Sequence, residues 1–237
     1  VIPNVTFEVY DEEENVVDTM ITDQNGKAVS KLLPIDQEYT VKETNIEDET
    51  YKLTEETQKV TLEEDKITSI TFENEKRKGQ IKVIKTDGET EVPLEDVTFI
   101  VENSKGEIVD RIITDENGEA TSKRLAIDEQ YTVYEEKTKK GYILSNEKQV
   151  VELKENEITD LKFNNYKEKG SIKITKVSSD GNNIAGIEFK ITGTSLTGET
   201  FEATYKTNEN GEIFIDEVLT GEYTIEELQS ELNSGYI

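Results

Sequence analysis

Three polar residue types recur at the ends of apolar stretches in this sequence. In the stretch QIKVIKTD, the alternation of a β-strand would place Lys85 on the same face as an isoleucine and a valine. In QYTVYE and LKFNN, the same alternation places Glu135 and Asn165 at the ends of apolar stripes. The pattern therefore predicts a lysine, a glutamate and an asparagine that face one core from three different strands.

These three residue types have the parts for an amide exchange. Burial lowers the pKa of a lysine and raises that of a glutamate, because it penalises the charged forms. A neutral Lys85 amine could attack the side-chain carbonyl carbon of Asn165, with Glu135 carrying the protons. Ammonia would leave and an isopeptide cross-link would remain. A fixed geometry can be worth about 7–11 kcal/mol of barrier, so the reaction could proceed once per domain without cofactor or turnover.

An ordinary packing interpretation stands beside the cross-link. A lysine at a strand end can bury its stem and keep its ammonium in water. A nearby glutamate and asparagine would then form an ion pair and a hydrogen bond. For a single residue this is the simpler interpretation, whereas the repetition of all three residues favours the cross-link.

The sequence contains three copies of one pattern. TDQNG begins at residue 22, and TDENG begins 92 residues later, at 114; a similar TNENG occurs in the third copy. A period of this size is typical of whole domains in tandem. We predict a domain at 1–78 that lacks its first strand, a complete domain at 79–169, and a domain at 170–237 that lacks its last strands. The junctions EKRKG and YKEKG are short and charged, which predicts closely abutted domains in a rod.

The complete repeat has the pattern of an all-β fold. About seven short alternating stretches separated by turn sequences predict an immunoglobulin-like sandwich. The acidic stretch TEETQKV (54–60) could form a helical turn. The predicted strands are 80–87, 96–103, 107–114, 119–125, 130–136, 147–153 and 158–165.

Composition excludes several classes of function. The chain has 237 residues and a formal net charge of −26, which argues against binding to nucleic acid or to anionic membranes. It has no cysteine and no histidine, so the commonest general base, thiol nucleophile and zinc ligands are missing. We expect no cofactor, no metal and no enzymatic turnover. TDENG resembles the start of a calcium loop, but a hairpin turn is the better interpretation.

Four motifs of the middle copy carry a family resemblance. They are KTD (85–87), PLEDVTF (93–99), YTVYEEKTKKGY (131–142) and FNN (163–165). In this order and spacing, the chain resembles tandem B-type domains of the collagen adhesins and the prealbumin-like domains of SpaA-type pilins from Gram-positive bacteria. The sequence departs from that pattern where Lys139 replaces an expected proline, and the first copy has no Gly-Tyr pair.

The resemblance implies roles for the three residues. Lys85 and Asn165 would be joined, with Glu135 as the catalytic acid and base. The corresponding residues are Glu43 and Asn74 in the first repeat, and Lys176 and Glu227 in the third. The missing lysine of the first repeat and the missing asparagine of the third are expected outside this sequence.

The predicted function is structural. We expect a stalk or pilin-like repeat of an extracellular, wall-anchored bacterial protein, which projects an adhesive region and contacts neighbouring repeats of its own chain. No nucleic acid and no membrane contact are expected, and a host matrix protein is a possible partner of other domains. Two alternatives are an adhesin module that itself binds a host matrix protein, and an accessory, transthyretin-like domain beside a catalytic domain.

Overall fold

The computed structural model describes residues 1–179 and 181–229, which contain seventeen β-strands and no helix. The all-β prediction is confirmed. The first repeat contains β1 (Val5–Tyr10), β2 (Val16–Ile21), β3 (Glu38–Ile46) and β4 (Thr57–Thr61). The middle repeat contains β5 (Lys78–Asp87), β6 (Thr98–Asn103), β7 (Ile108–Ile113), β8 (Glu119–Thr121), β9 (Leu125–Ala126), β10 (Gln130–Lys137), β11 (Lys148–Glu152) and β12 (Ile158–Asn165). The third contains β13 (Lys169–Thr175), β14 (Glu188–Ser195), β15 (Thr200–Lys206), β16 (Glu212–Leu219) and β17 (Gly221–Glu227).

Strand β5 shows why the alternating pattern was informative. Every second residue from Gly79 to Asp87 is buried, and the residues between them are partly exposed. Ile81 and Val83 are fully buried apolar residues of this face. Strand β10 has the same alternation and buries Tyr131. Because side chains of a strand point to opposite faces in turn, each of these strands presents one face to the core.

The middle repeat has two sheets. One has the order β11-β10-β6-β7, and the other has the order β12-β5-β8, with β9 also paired to β5. Phe99 from the first sheet and Phe163 from the second contact each other, with ring centroids 4.9 Å apart. Strands from both sheets therefore supply one core, as in a β-sandwich.

The first and third repeats have different strand sets. The first repeat has one sheet, of order β2-β1-β3-β4, and the third has the sheets β13-β16 and β15-β14-β17. In the first repeat, residues 67–74 match β12 in sequence but are not a strand. Strand β12 pairs with β5 in the middle repeat, and the first repeat has no stretch that matches β5.

The predicted helical turn in TEETQKV is wrong. Residues Thr57–Thr61 form β4, which pairs antiparallel with β3 and sets Val60 opposite Tyr39. Val60 packs against the core of the first repeat. Pairing with β3 and the packing of the partly buried Val60 therefore outweigh the local helical preference of the acidic residues, as tertiary contacts commonly do.

TDENG is a turn, but not a hairpin between paired strands. The side chain of Asp115 accepts hydrogen bonds from the backbone N–H groups of Asn117 and Glu119, both at 2.9 Å. Gly118 has a positive φ of 70°, which favours glycine. The turn connects β7 to β8, which belong to different sheets because β8 pairs with β5. Within residues 1–179 and 181–229, no group of three or more metal-ligating side chains could hold a metal ion.

Contacts divide the chain into two compact units. The first contains residues 1–80, 123–130 and 152–159, and the second contains residues 81–122, 131–151 and the described residues from 160 onward. In the described part of the chain, no helix is long and apolar enough to cross a membrane.

Candidate functional site

The three predicted residues of the middle repeat come together. Lys85 lies on β5, Asn165 ends the neighbouring strand β12, and Glu135 lies on β10 of the other sheet. The ammonium of Lys85 donates a hydrogen bond to Asn165 Oδ1 at 2.6 Å. Asn165 Nδ2 donates to Glu135 Oε1 at 2.7 Å. Glu135 Oε2 lies 3.1 Å from Lys85 Nζ, which closes the triangle.

This triangle is buried. The exposed fraction is 0 % for Lys85, 5 % for Glu135 and 2 % for Asn165. Glu135 Oε2 forms an ion pair with the ammonium and has no other polar partner among the described residues. Burial lowers the pKa of Lys85, against the opposing attraction of Glu135. The neutral amine of Lys85 is therefore more favoured in this site than it would be in water. The neutral amine is the nucleophilic form of lysine.

The turn at TDENG holds the backbone of Lys85. Lys85 N donates to Gly118 O at 2.8 Å, and Leu94 N donates to Lys85 O at 3.0 Å. A Cβ atom on Gly118 would lie 2.3 Å from Lys85 O, so only glycine allows this approach. The third repeat has the same arrangement, since Lys176 N donates to Gly211 O at 2.8 Å. The repeated turn therefore holds the backbone of each lysine in the same way.

Thr138 belongs to the site but was not among the predicted residues. Asn165 Nδ2 donates a second hydrogen bond to Thr138 Oγ1 at 2.6 Å. Strict alternation would turn Thr138 away from Glu135, three residues earlier. However, the pairing with β6 shifts between Glu135 and Lys137, which is a β-bulge. The extra residue reverses the alternation, so Thr138 points to the same side as Glu135.

Asp87 and Tyr142 form a second buried polar pair that sequence reasoning did not predict. The backbone N–H groups of Glu89 and Thr90 donate to Asp87 Oδ1, at 2.8 and 2.9 Å. The Tyr142 hydroxyl donates to Asp87 Oδ2 at 2.9 Å, and Lys167 Nζ lies 3.6 Å from that oxygen.

Burial by itself would raise the pKa of Asp87, but these hydrogen bonds lower it. Burial and the bond to Asp87 raise the pKa of Tyr142. The pair ties the end of β5, two residues beyond Lys85, to the chain around Tyr142. The KTD and GY motifs contained the signal, because both residues belong to them.

The first repeat contains two of the three predicted residues. Asn74 Nδ2 donates to Glu43 Oε1 at 2.7 Å and to the backbone oxygen of Lys52 at 3.0 Å. Glu43 is 5 % exposed, and its Oε2 is buried without a hydrogen-bond partner among the described residues. In the middle repeat, the equivalent oxygen faces the lysine ammonium. Tyr51 bridges to Lys76 as Tyr142 bridges to Lys167, so the first repeat keeps this tyrosine without the preceding glycine.

The third repeat contains the lysine and the glutamate. Lys176 Nζ donates to Glu227 Oε2 at 2.8 Å, and both side chains are partly exposed. The structure therefore brings together each predicted pair that this sequence contains. Only the middle repeat has all three residue types at the motif positions.

One domain family matches nearly the whole chain. The family described as SpaA, a prealbumin-like fold domain, matches residues 1–76, 79–167 and 170–237. No curated protein matches the chain.

Solved structures similar to this chain include a Bacillus anthracis protein and two streptococcal pilins. The Bacillus anthracis TIE protein is 28 % identical with a TM-score of 0.70, and the match covers 97 % of this chain and 43 % of that one. This chain thus spans less than half of that protein. A streptococcal ancillary pilin is 16 % identical with a TM-score of 0.39, over 97 % of this chain and 85 % of the pilin. GBS52, a minor pilin of Streptococcus agalactiae, is 19 % identical with a TM-score of 0.35, over 75 % and 87 %.

Proposed function

The chain belongs to the family of SpaA prealbumin-like fold domains, and from that membership we propose that it is a structural, pilin-like segment of a bacterial surface protein. Its middle repeat would cross-link itself between Lys85 and Asn165, with Glu135 as acid and base. The observation that carries this proposal is the closed, buried triangle of these three side chains. The segment would lie outside the cell in a wall-anchored protein, contact neighbouring repeats and project an adhesive region located elsewhere.

The contacts support a balanced reaction path. The Lys85 ammonium gives a proton to Glu135 Oε2, 3.1 Å away, and becomes a neutral amine. The amine attacks Asn165 Cγ, so a C–N bond forms and the carbonyl electron pair moves to Oδ1. Glu135 then protonates Asn165 Nδ2, which it contacts at 2.7 Å, and accepts a proton from the attacking nitrogen.

Collapse of this intermediate restores the carbonyl and breaks the bond between Cγ and Nδ2. Ammonia leaves and takes the remaining proton from Glu135, which returns to the carboxylate. The net change joins a lysine ammonium and a carboxamide into an amide plus an ammonium ion. Glu135 acts as a general acid and base within hydrogen-bond distance of the leaving group, as such a residue must. The reaction happens once, so the chain would not be an enzyme.

The cross-link would change the mechanical and thermodynamic properties of the domain. The two residues are 80 positions apart in sequence, and their strands are neighbours in one sheet. Closing a loop of this size stabilises a fold by about 4.5 kcal/mol in the chain-entropy view. A covalent bond between the first and last strands of the repeat would also carry tension past the hydrogen-bonded core. Both consequences suit a stalk.

The first and third repeats would contain parts of the same site. Glu43 and Asn74 lack a lysine in this sequence, and Lys176 and Glu227 lack an asparagine at the motif position. We propose that residues outside this sequence complete both sites. The domain boundaries of 1–78, 79–169 and 170–237 belong to the same proposal.

The test is the intact mass of the denatured chain. We expect the wild type to weigh one ammonia less than its calculated mass. Glu135→Ala should have the full mass, because proton transfer to and from the reacting groups is lost. The matched control is Glu43→Ala, which removes the equivalent glutamate of the first repeat and should leave the ammonia loss unchanged.

A tandem mass spectrum locates the bond. The peptide that contains Lys85 should be joined to the peptide that contains Asn165, and Asn165→Ala should release it. A wild-type chain of full calculated mass, folded according to its circular dichroism, would refute the cross-link. An ammonia loss that persists in Asn165→Ala would place the chemistry at another residue.

A further inference from the structure

We propose that Thr138 is a positioning residue for this cross-linking reaction, because its hydroxyl oxygen holds the leaving nitrogen of Asn165 beside Glu135. The inference rests on the proposed function. It is carried by the hydrogen bond from Asn165 Nδ2 to Thr138 Oγ1, at 2.6 Å. Thr138 lies within the stretch YTVYEEKTKKGY, but the alternation of β10 did not indicate that it faces Asn165.

Thr138 completes the hydrogen bonding of the Asn165 carboxamide. An amide nitrogen has two hydrogens, and here one goes to Glu135 Oε1 and the other to Thr138 Oγ1. The carbonyl oxygen accepts from the Lys85 ammonium. A rotated carboxamide would direct Nδ2 at the ammonium, where two donors would meet. It would also direct Oδ1 at the carboxylate of Glu135, where two acceptors would meet.

The orientation of the Asn165 carboxamide decides whether its nitrogen or its oxygen lies next to Glu135. The proposed path needs Nδ2 next to Glu135, because the departing nitrogen must receive a proton before its bond to Cγ breaks. As the amine attacks, Nδ2 loses its planarity and gains a basic lone pair. The hydrogen bond to Thr138 then holds one N–H while the lone pair turns toward Glu135. Displacing a reacting group by about 1 Å can cost about 100-fold in rate, so a second contact on this nitrogen matters.

The bulge in β10 is what gives Thr138 this position. Glu135 pairs with Phe99, but Lys137 pairs with Thr98, so Glu136 is the extra residue. Lys137 consequently points outward and Thr138 points inward, next to the end of β12.

The first repeat has the same bulge but a different residue. There Glu43 pairs with Phe7, and Asn45 pairs with Thr6. Ile46 occupies the position of Thr138, and isoleucine cannot accept a hydrogen bond. The second hydrogen of the Asn74 amide instead goes to the backbone oxygen of Lys52 at 3.0 Å. Both asparagines therefore have a second acceptor, but only that of Asn165 can be removed by a side-chain substitution.

The test compares Thr138→Val with Thr138→Ser. Valine keeps the shape and removes the acceptor, whereas serine keeps the hydroxyl. Each chain is recovered unfolded in urea, refolded by dilution, quenched in acid at intervals and weighed intact. We expect bond formation to be at least about tenfold slower in Thr138→Val and within about threefold of wild type in Thr138→Ser. Rescue by serine would not follow from a merely structural role of the threonine methyl group.

A background that cannot react separates positioning from folding. Urea unfolding of Thr138→Val/Asn165→Ala is compared with that of Asn165→Ala alone. Matching midpoints together with slow cross-linking of Thr138→Val support positioning. Equal rates for wild type and Thr138→Val, or equally slow rates for both Thr138 variants, would overturn the role of the hydroxyl. A wild type that folds and never loses ammonia would overturn the proposed function itself, which makes the two failures distinguishable.

Discussion

The middle and first repeats place the same glutamate–asparagine pair in two different settings. In both, the asparagine donates to the glutamate at 2.7 Å. In both, a phenylalanine two residues before the asparagine contacts a phenylalanine of the facing sheet, with ring centroids 4.9 and 5.0 Å apart. The contacts within each pair are therefore independent of β5, for which the first repeat has no equivalent strand.

The surroundings of the pair do depend on β5. Leu161 of the middle repeat is 9 % exposed, whereas Ile70 at the same repeat position is 36 % exposed. The asparagine is buried in the middle repeat and only partly buried in the first. Strand β5 thus contributes a covering sheet, a hydrogen-bonding edge for β12 and the lysine itself. Side-chain contacts thus assemble the glutamate–asparagine pair in both repeats, and β5 adds the lysine and the deeper burial of the asparagine.

Removing the lysine should give the largest effect. Lys85→Met keeps most of the side-chain volume and removes the nucleophile, so the middle repeat should lose about 4.5 kcal/mol of unfolding free energy. The matched control is Lys176→Met, which breaks a partly exposed ion pair and should cost about 1 kcal/mol or less. Hydrogen exchange in urea measures both effects, on peptides from the middle repeat for Lys85→Met and on peptides from the third repeat for Lys176→Met. Equal losses in the two variants would show that Lys85 is an ordinary ion-pair residue.

Truncating an apolar residue of the last strand tests the covering role of β5. Leu161→Ala should destabilise the middle repeat by about 2–5 kcal/mol, because it opens a cavity in a packed core. Ile70→Ala, at the same repeat position of the first repeat, should cost less than about 1 kcal/mol, since that side chain is partly exposed. Urea unfolding in the Asn165→Ala background, where no cross-link interferes, supplies the comparison. A large loss in Ile70→Ala would mean that the first repeat is as well covered as the middle one.

Substitution of Tyr142 and of Tyr51 should show a smaller difference in stability between the two repeats. Tyr142→Phe removes a hydrogen bond to the buried carboxylate of Asp87 and should cost about 1.5–3 kcal/mol. Tyr51→Phe should be nearly neutral, because the first repeat contains no residue that matches Asp87. Thermal unfolding of both variants is the measurement. If Tyr142→Phe left the stability unchanged, the hydrogen bond between Tyr142 and Asp87 would not hold the end of β5.

A pH dependence should give the smallest difference. In Asn165→Ala, Lys85 cannot react, and burial lowers its pKa in the folded state. At pH values between this lowered pKa and the ordinary lysine pKa of about 10.4, the unfolded chain binds more protons than the folded chain. Stability should therefore rise with pH in this window, by at most about 1.4 kcal/mol per pH unit.

The control for this slope is Lys85→Met/Asn165→Ala, which keeps every other titrating group. Urea midpoints of both variants are compared from neutral pH to about pH 10. The difference between their slopes isolates Lys85. Parallel curves would show that Lys85 titrates in the fold as it does in the unfolded chain.

Much of the fold could be predicted from local patterns. The alternation in β5, β10 and β12 depends only on the two-residue period of a strand, so the sequence predicted both these strands and their inward residues. The same pattern placed Lys85, Glu135 and Asn165 at the ends of apolar faces, where the structure finds them. The prediction of a helical turn in TEETQKV was wrong because it used only the local helix preference of the acidic residues. The strand formed there depends on pairing with β3.

Sequence by itself determined the repeated all-β pattern, the inward faces of the strands and the three polar residues at their ends. Tertiary structure alone decided that TDENG connects two sheets, that Thr138 faces Asn165 and that Asp87 pairs with Tyr142. The physical reason is the range of the interactions. Alternation is a property of neighbouring residues, whereas a bulge, a sheet partner and a buried hydrogen bond depend on register with residues far away in the chain.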